Sequence, residues 1–176
     1  GGSASNAVAT CALLGLKTAF CGKIGNDEYG TQYENETKQA GVYTRLHKTN
    51  KLTGHVVVLI TNDAERTMAV NLGASVDLKN EEISEQDIAA SNILHIDGYQ
   101  IEQATEVCMH ALQLAKKHHI KISIDASDAG VVQRNKKQFE HIIKSYATIL
   151  FANEEEAAAL TSKKATEAVS ELGQWC

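Results

Sequence analysis

Ile120-Lys121-Ile122-Ser123-Ile124-Asp125-Ala126-Ser127-Asp128 holds the pattern that sets the architecture. Ile120 to Ile124 reads as a short apolar strand, and it runs into a polar turn. The same arrangement recurs on either side. Ile93 to Ile96 leads into Asp97-Gly98-Tyr99, and Thr148 to Phe151 leads into Asn153-Glu154-Glu155-Glu156. Helical patterns separate the three. From Ile101 to His119, Ala104, Val107, Cys108, Ala111, Leu114 and Ala115 fall on one helical face, and a second helix spans Val131 to Ser145. Short apolar strands alternating with helices predict βαβ units, a mainly parallel sheet and an α/β fold. In such sheets ligands sit beyond the carboxyl ends of the strands, where all three polar groups fall.

Towards the amino terminus the pattern is helix, strand, helix. Asn6 to Leu14 is a helix stopped at Gly15, and Lys17 to Ile24 is a strand. Gly25-Asn26-Asp27 is a turn whose Asp27 caps a helix reaching about Ala40, with Gly41 as its stop. Val42 to Leu46, Gly54 to Thr61 and Arg66 to Leu72 then read as strands. Thr61-Asn62-Asp63-Ala64-Glu65 forms a hairpin loop between the last two. With few helical signals among them, these strands are expected to form a small β-sheet over about residues 42–72. Val56-Val57-Val58-Leu59-Ile60 is continuously apolar. That predicts a strand covered on both faces, or covered by a ligand or partner chain.

Composition narrows the function classes. The 176 residues suit one domain; 43% are hydrophobic and 22% charged, as in an ordinary globular protein. No apolar run approaches the roughly 18 residues of a membrane helix. Seventeen basic against 22 acidic residues give a net charge of -5, without the basic footprint of a nucleic-acid binder. No signal-peptide pattern opens the chain. Cys11, Cys21, Cys108 and Cys176 form no C-x-x-C pair, so small buried thiols in a reducing cytosol are expected rather than zinc ligands. Proline is absent. The start on Gly1-Gly2-Ser3 without Met, and the close on Gly173-Gln174-Trp175-Cys176, suggest a piece of something longer.

Four motifs carry candidate chemistry, and each has an ordinary structural reading beside it. Gly1-Gly2-Ser3-Ala4-Ser5-Asn6 opens a helix. Its free N–H groups and the Asn6 carboxamide suit sugar hydroxyls, while Ser or Asn as a helix cap is the plain alternative. Gly22 to Gly30 reads as strand, tight turn and capped helix, with Lys23 solvated. Arg66, leaving the hairpin loop, has the donors to grip phosphate bidentately, or else pairs with Asp63 or Glu65 on the surface. Asn153 and Glu156 have the spacing of a reciprocal capping box, and equally of a pair meeting hydrated Mg²⁺ beside nucleotide phosphates. The seven histidines show no metal spacing. His118 and His119 are expected to end a helix, and Asp125 and Asp128 have turn and cap roles available.

In their order, Gly1 to Ala7, Leu14-Gly15, Gly22-Lys23-Ile24-Gly25-Asn26-Asp27 and Tyr29-Gly30 closely resemble the first signature of the ribokinase-like (PfkB) carbohydrate kinases. Gly41-Val42 fits the family's entry to its lid, and Asn153 to Glu156 is similar to its N-x-x-E motif. Glu65-Arg66-Thr67-Met68 and Phe151 to Ala157 look closest to the adenosine kinase branch.

The resemblance implies a Rossmann-type sandwich with a small β-sheet lid. It implies transfer of the ATP γ-phosphate to a sugar hydroxymethyl group, with Mg²⁺, in the cytoplasm. Adenosine is the leading acceptor, and ribokinase, fructokinase and 2-keto-3-deoxygluconate kinase types are the alternatives. Gly2, Ser3 and Asn6 then match sugar-binding positions, and Arg66 a lid arginine at the transferred phosphate. Met68, Val70 and Leu72 match lid residues over base or sugar; Tyr99 lines the pocket; Asn153 and Glu156 organise Mg²⁺ and phosphates without direct ligation. A homodimer through the lid is a further implication; the apolar strand Val56 to Ile60 keeps open the alternative of a non-catalytic truncation that binds a nucleoside or pairs through its lid. The family's sugar-holding Asp lies on a strand before the Gly-Gly pair. Its catalytic base sits in a G-A-G-D segment, and no such segment occurs between Gly1 and Cys176. The chain by itself is therefore expected to be inactive.

Overall fold

A computed structural model describes residues 2–176, position 165 by its backbone alone. Gly1, part of the first motif, lies outside the described residues. The chain divides into two compact units between Glu82 and Ile83, a boundary that no change of composition marks.

In the first unit α1 (Ser3–Leu13) precedes β1 (Ala19–Gly25), α2 (Glu28–Gln39) and β2 (Tyr43–Thr49). β1 and β2 pair in parallel, from Ala19 opposite Tyr43 to Gly25 opposite Thr49. β2 covers the stretch expected to join the small sheet, and the structure corrects that expectation. The crossover through α2 returns the chain beside β1, and Val42 is buried as it enters. The small sheet consists of β3 (His55–Ile60) and β4 (Arg66–Asn71), antiparallel, with the expected loop 61–65 between them. Within this chain neither face of the sheet is covered, which leaves covering by a ligand or partner chain as the remaining expectation. Every residue of both strands is exposed, Val57 to 56% and Ile60 to 68%. Two short 3₁₀ turns, Gly73–Asp77 and Asn80–Glu82, complete the unit.

Little apolar surface is buried here: Ala4, Ile24, Val42 and Ala74. Polar ties take over. Lys23 Nζ donates to both Glu82 oxygens at 2.7 and 2.9 Å and to the Asp77 carbonyl at 3.1 Å. With its side chain 9% exposed, Lys23 is not the solvated lysine that the sequence suggests. It pins the 3₁₀ segment onto β1. Asp27 caps α2 as expected, accepting from the Gly30 N–H at 2.8 Å. The Thr53 hydroxyl and N–H, together with Gly30, hold its carboxyl below the usual carboxylate range.

The second unit contains α3 (Glu85–Ala89), β5 (Ile93–Asp97), α4 (Gly98–Gln103), α5 (Thr105–Lys117), β6 (Lys121–Asp125), α6 (Ala129–Arg134), α7 (Lys136–Tyr146), β7 (Ile149–Phe151), α8 (Glu154–Thr161) and α9 (Ala165–Leu172). The strands form the expected parallel sheet in the order β5-β6-β7. Ile96, Ile122 and Ile124 from the strands meet Ile101, Leu112, Val132, Phe139, Ile142, Ile143 and Leu160 from the helices in one apolar cluster. Burial of each such side chain contributes about 1.5–3 kcal/mol.

Both long helices of the sequence reading are broken. Ala104 (φ -137°, ψ 46°) separates α4 from α5, and Asn135 (φ -121°, ψ 23°) separates α6 from α7. Side chains share the backbone carbonyls at these points. Thr105 Oγ1 donates to the Ile101 carbonyl at 2.8 Å, and Asn135 Nδ2 to the Val131 carbonyl at 2.9 Å. His118 follows α5 and meets Glu85 at 2.7 Å, consistent with a structural role. Of the cysteines expected to be buried, Cys108 is, its thiol pushed up to about 12 by burial and by Asp97; Cys176 is exposed. No helix among the described residues is long and apolar enough to cross a membrane.

Removing one partner of a largely buried ion pair strands the other charge. Lys23→Ala is therefore expected to cost about 3 kcal/mol in urea unfolding. Lys23→Met combined with Glu82→Gln should recover part of that loss. An unmoved midpoint for Lys23→Ala would show that the pair holds nothing.

Candidate active site

The sequence-derived site residues fall into three local groups, two in the first unit and one in the second. The first group opens α1. Gly2 is the N-cap, at φ 130° and ψ 148°, a conformation that suits glycine and few other residues. Its carbonyl accepts from the Asn6 N–H at 2.9 Å and from the Ser5 hydroxyl at 3.4 Å. No side chain caps the helix. The plain reading of Ser or Asn as an ordinary cap therefore does not hold. Ser3 and Asn6 stand exposed on the first turn, with no side-chain hydrogen bond among the described residues.

The second group is on the β3–β4 hairpin. Pairing places Arg66 opposite Ile60, Met68 opposite Val58 and Val70 opposite Val56. Strand alternation then puts all six on one face, and Thr67, Ala69, Leu59 and Val57 on the other. Arg66 is exposed, and no ion pair with Asp63 or Glu65 forms among the described residues. Asp63 instead bonds to the Thr61 hydroxyl within the loop. Leu72 lies past the end of β4, half-buried, its carbonyl taken by the Ser75 hydroxyl at 2.6 Å.

The third group gathers at the carboxyl ends of β5, β6 and β7. Asp97 caps α4 through the Gln100 N–H at 3.0 Å, and Gln100 returns the bond to the Asp97 N–H at 3.3 Å. Asp128 caps α6 through Val131 at 2.8 Å, and Asp125 accepts from the Ser127 N–H at 2.8 Å. The Ser127 hydroxyl accepts from Gly98, stitching the β5 and β6 turns together. Asn153 and Glu156 form the expected capping box. Glu156, 5% exposed, takes the Asn153 N–H at 2.9 Å on one oxygen and the Asn153 amide at 2.8 Å on the other. Burial comes first in pushing the Tyr99 hydroxyl above its usual range, followed by Asp128, Asp97, Glu156 and Asp125. Tyr99 thus shares its surroundings with carboxylates from all three strand ends.

Sequence reasoning missed some participants. Gln100 carries a readable signal, since Asp97-x-x-Gln100 has the same box spacing as Asn153-x-x-Glu156. Thr53 and Glu82 have none, because their partners lie 26 and 59 residues away. Among the described residues no group of three or more His, Cys, Asp or Glu is arranged to hold a metal directly. Glu156 does fit a hydrated cation. Each of its oxygens takes one N–H and keeps a lone pair for a water. Two surface cavities, of about 660 and 280 Å³, lie along Gln133 to Glu140 and between Lys116 and Thr148, and no candidate residue lines either.

Comparison with known proteins gives this geometry its context. The guanosine-inosine kinase of Escherichia coli K12 is 28% identical over 156 residues, 86% of this chain and 35% of that protein. Mouse ribokinase is 26% identical over 92% of this chain and 48% of its own length. The crystal structure of adenosine kinase from Sinorhizobium meliloti superposes on the whole chain with a TM-score of 0.92 at 29% identity, covering 56% of that protein. The chain thus spans about a third to just over half of the proteins it matches. It has their ribokinase-like α/β fold over that length. The sequence profile of the pfkB family carbohydrate kinases matches residues 1–176, and the chain belongs to that family.

Proposed function

We propose that this chain forms the acceptor-binding part of an ATP-dependent kinase that phosphorylates the hydroxymethyl group of a sugar or nucleoside, with adenosine as the leading acceptor. The observation that carries the reading is the start of α1. No side chain caps the helix, and Ser3 and Asn6 stand exposed on its first turn with their polar side chains turned to no cap. A carboxamide offers a donor and an acceptor at once, which suits neighbouring hydroxyls. The choice of adenosine draws on the likeness to the Sinorhizobium enzyme; the likeness to guanosine-inosine kinase and ribokinase keeps purine nucleosides and ribose in the test set.

In the transfer the acceptor oxygen bonds to phosphorus, the phosphorus–bridging-oxygen bond breaks, and ADP leaves. The hydroxyl proton passes to a carboxylate. The family resemblance assigns that carboxylate to a G-A-G-D segment, which these 176 residues do not contain. Arg66 meets the transferred phosphate from the exposed hairpin face, and Met68 and Val70 cover the base or sugar. Tyr99 lines the acceptor pocket. Asn153 and Glu156 would hold hydrated Mg²⁺, which when bound would supply neutralisation of phosphate charge. The chain's own contribution is position and charge, which phosphoryl transfer chiefly needs. The same reading places the protein in the cytoplasm, where ATP is supplied.

The test is a panel of adenosine, guanosine, inosine, ribose and fructose with ATP and Mg²⁺, using the protein at the length of its relatives. Transfer to adenosine is expected there and not from residues 1–176 alone. Transfer to none of the five would overturn the reading, and transfer to ribose but not adenosine would move the chain to another branch. Asn6→Ala should raise the acceptor KM about tenfold, as for a polar partner left unsatisfied at about 1–2 kcal/mol. Arg66→Ala should lower kcat by about a hundredfold with little change in acceptor KM, and Arg66→Lys should restore only part of it. Unchanged constants would remove either residue from the site.

A further inference from the structure

Asp27 does more than cap α2. Its Oδ1 accepts from the Gly30 N–H at 2.8 Å and from the Thr53 hydroxyl at 2.6 Å, and its Oδ2 accepts from the Thr53 N–H at 2.7 Å. Thr53 Oγ1 in turn accepts from the Gly25 N–H at 2.9 Å, in a buried setting. The backbones are pressed together at this point. A Cβ on Gly25 would lie 2.4 Å from the Lys51 carbonyl oxygen, and one on Gly30 would lie 2.4 Å from the Gly25 carbonyl oxygen and 2.7 Å from Thr53 Oγ1. The end of β1, the start of α2 and residue 53 are one polar knot.

That knot is the root of the hairpin. β3 begins two residues after Thr53, and β4 returns to Ala74, whose N–H donates to the Leu52 carbonyl at 2.8 Å. Both legs stand on residues 52 and 53. Beyond them β3 and β4 pair only with each other among the described residues. Six residues of strand reach about 20 Å, so a tilt of about 10° at the root displaces the far end, where Arg66 sits, by about 3 Å. Misplacement by even about 1 Å at a reacting centre costs around a hundredfold in rate.

We propose that Asp27 is a positioning residue for the hairpin: by gripping Thr53 through both carboxylate oxygens, it fixes the direction in which the Arg66 face is presented. This rests on the reading of Arg66 as the residue at the transferred phosphate, but its test does not need catalysis. Asp27→Asn separates the two jobs. The amide keeps an oxygen for Gly30 and turns an NH₂ towards the Thr53 N–H, where donor meets donor. Thr53→Val removes the hydroxyl at nearly constant shape, and Thr53→Ser keeps it.

Residual dipolar couplings of the backbone amides, measured on the 176-residue chain, report orientation directly. In the wild type the β3–β4 amides should fit the same alignment as β1, α2 and β2. In Asp27→Asn and in Thr53→Val the hairpin couplings should fall by about half or more while those of β1, α2 and β2 hold, and Thr53→Ser should match the wild type. Hairpin couplings unchanged in both variants, with faster exchange at the Thr53 amide, would show a broken latch and an unmoved arm, and would sink the proposal. Loss of the β1–α2–β2 couplings in both variants would overturn it too, because Asp27 would then hold the unit and not the arm. If the couplings move as expected and Arg66→Ala leaves transfer intact in the protein at its relatives' length, the positioning role stands and the phosphate role of Arg66 falls.

Discussion

A strand that passes directly into a helix leaves the helix's first N–H groups without partners, and a parallel arrangement repeats that problem at every crossover. Among the described residues the handover occurs after β1, β5, β6 and β7. Each time a short polar side chain closes it: Asp27, Asp97, Asp128 and Asn153 accept from the third residue of the following helix at 2.8 to 3.0 Å. Each cap contributes about 1 kcal/mol. The rest of the fold depends on this constraint being met four times. It also explains why the strand ends of the second unit are acidic: Asp97 and Asp128, which finish the helices there, are left at the strand ends.

The two units meet their stability needs differently. The second has an apolar core from β5 to α9, and its polar caps sit at the margin of that core. The first has few buried apolar side chains and relies on directed polar ties, Lys23 to Glu82 and Asp27 to Thr53. Such ties are sensitive to geometry, since an unpaired buried group costs more than a made bond returns.

The alternation of strands and helices was legible because apolar periodicity is local, and so were the Asn153–Glu156 box and the Asp27 cap. The place of β2 was not. A strand of seven residues looks the same whether it joins a hairpin or a crossover, and only the pairing of Tyr43 with Ala19 distinguishes them. The breaks at Ala104 and Asn135 escaped as well, because neither position carries the glycine or proline that marks a helix end in sequence. Of the candidate site, the residues came from the family resemblance, and their surroundings could not be read from sequence at all. Nothing in the order of residues says that Gly2 caps alone, that Arg66 has no surface partner in the hairpin loop, or that Tyr99 shares its environment with four carboxylates.

The hairpin face that carries Arg66, Met68 and Val70 adds nothing to either unit's interior, since every residue of β3 and β4 is exposed. Substitutions there are nearly free of folding consequences, whereas those at the capped strand ends are not. Inheritance can therefore act on the two independently. A lineage can rewrite the side chains of the hairpin face without disturbing the scaffold beneath. Relatives that share this scaffold and bear the names of adenosine, guanosine-inosine and ribose kinases are what such a division of labour would leave behind.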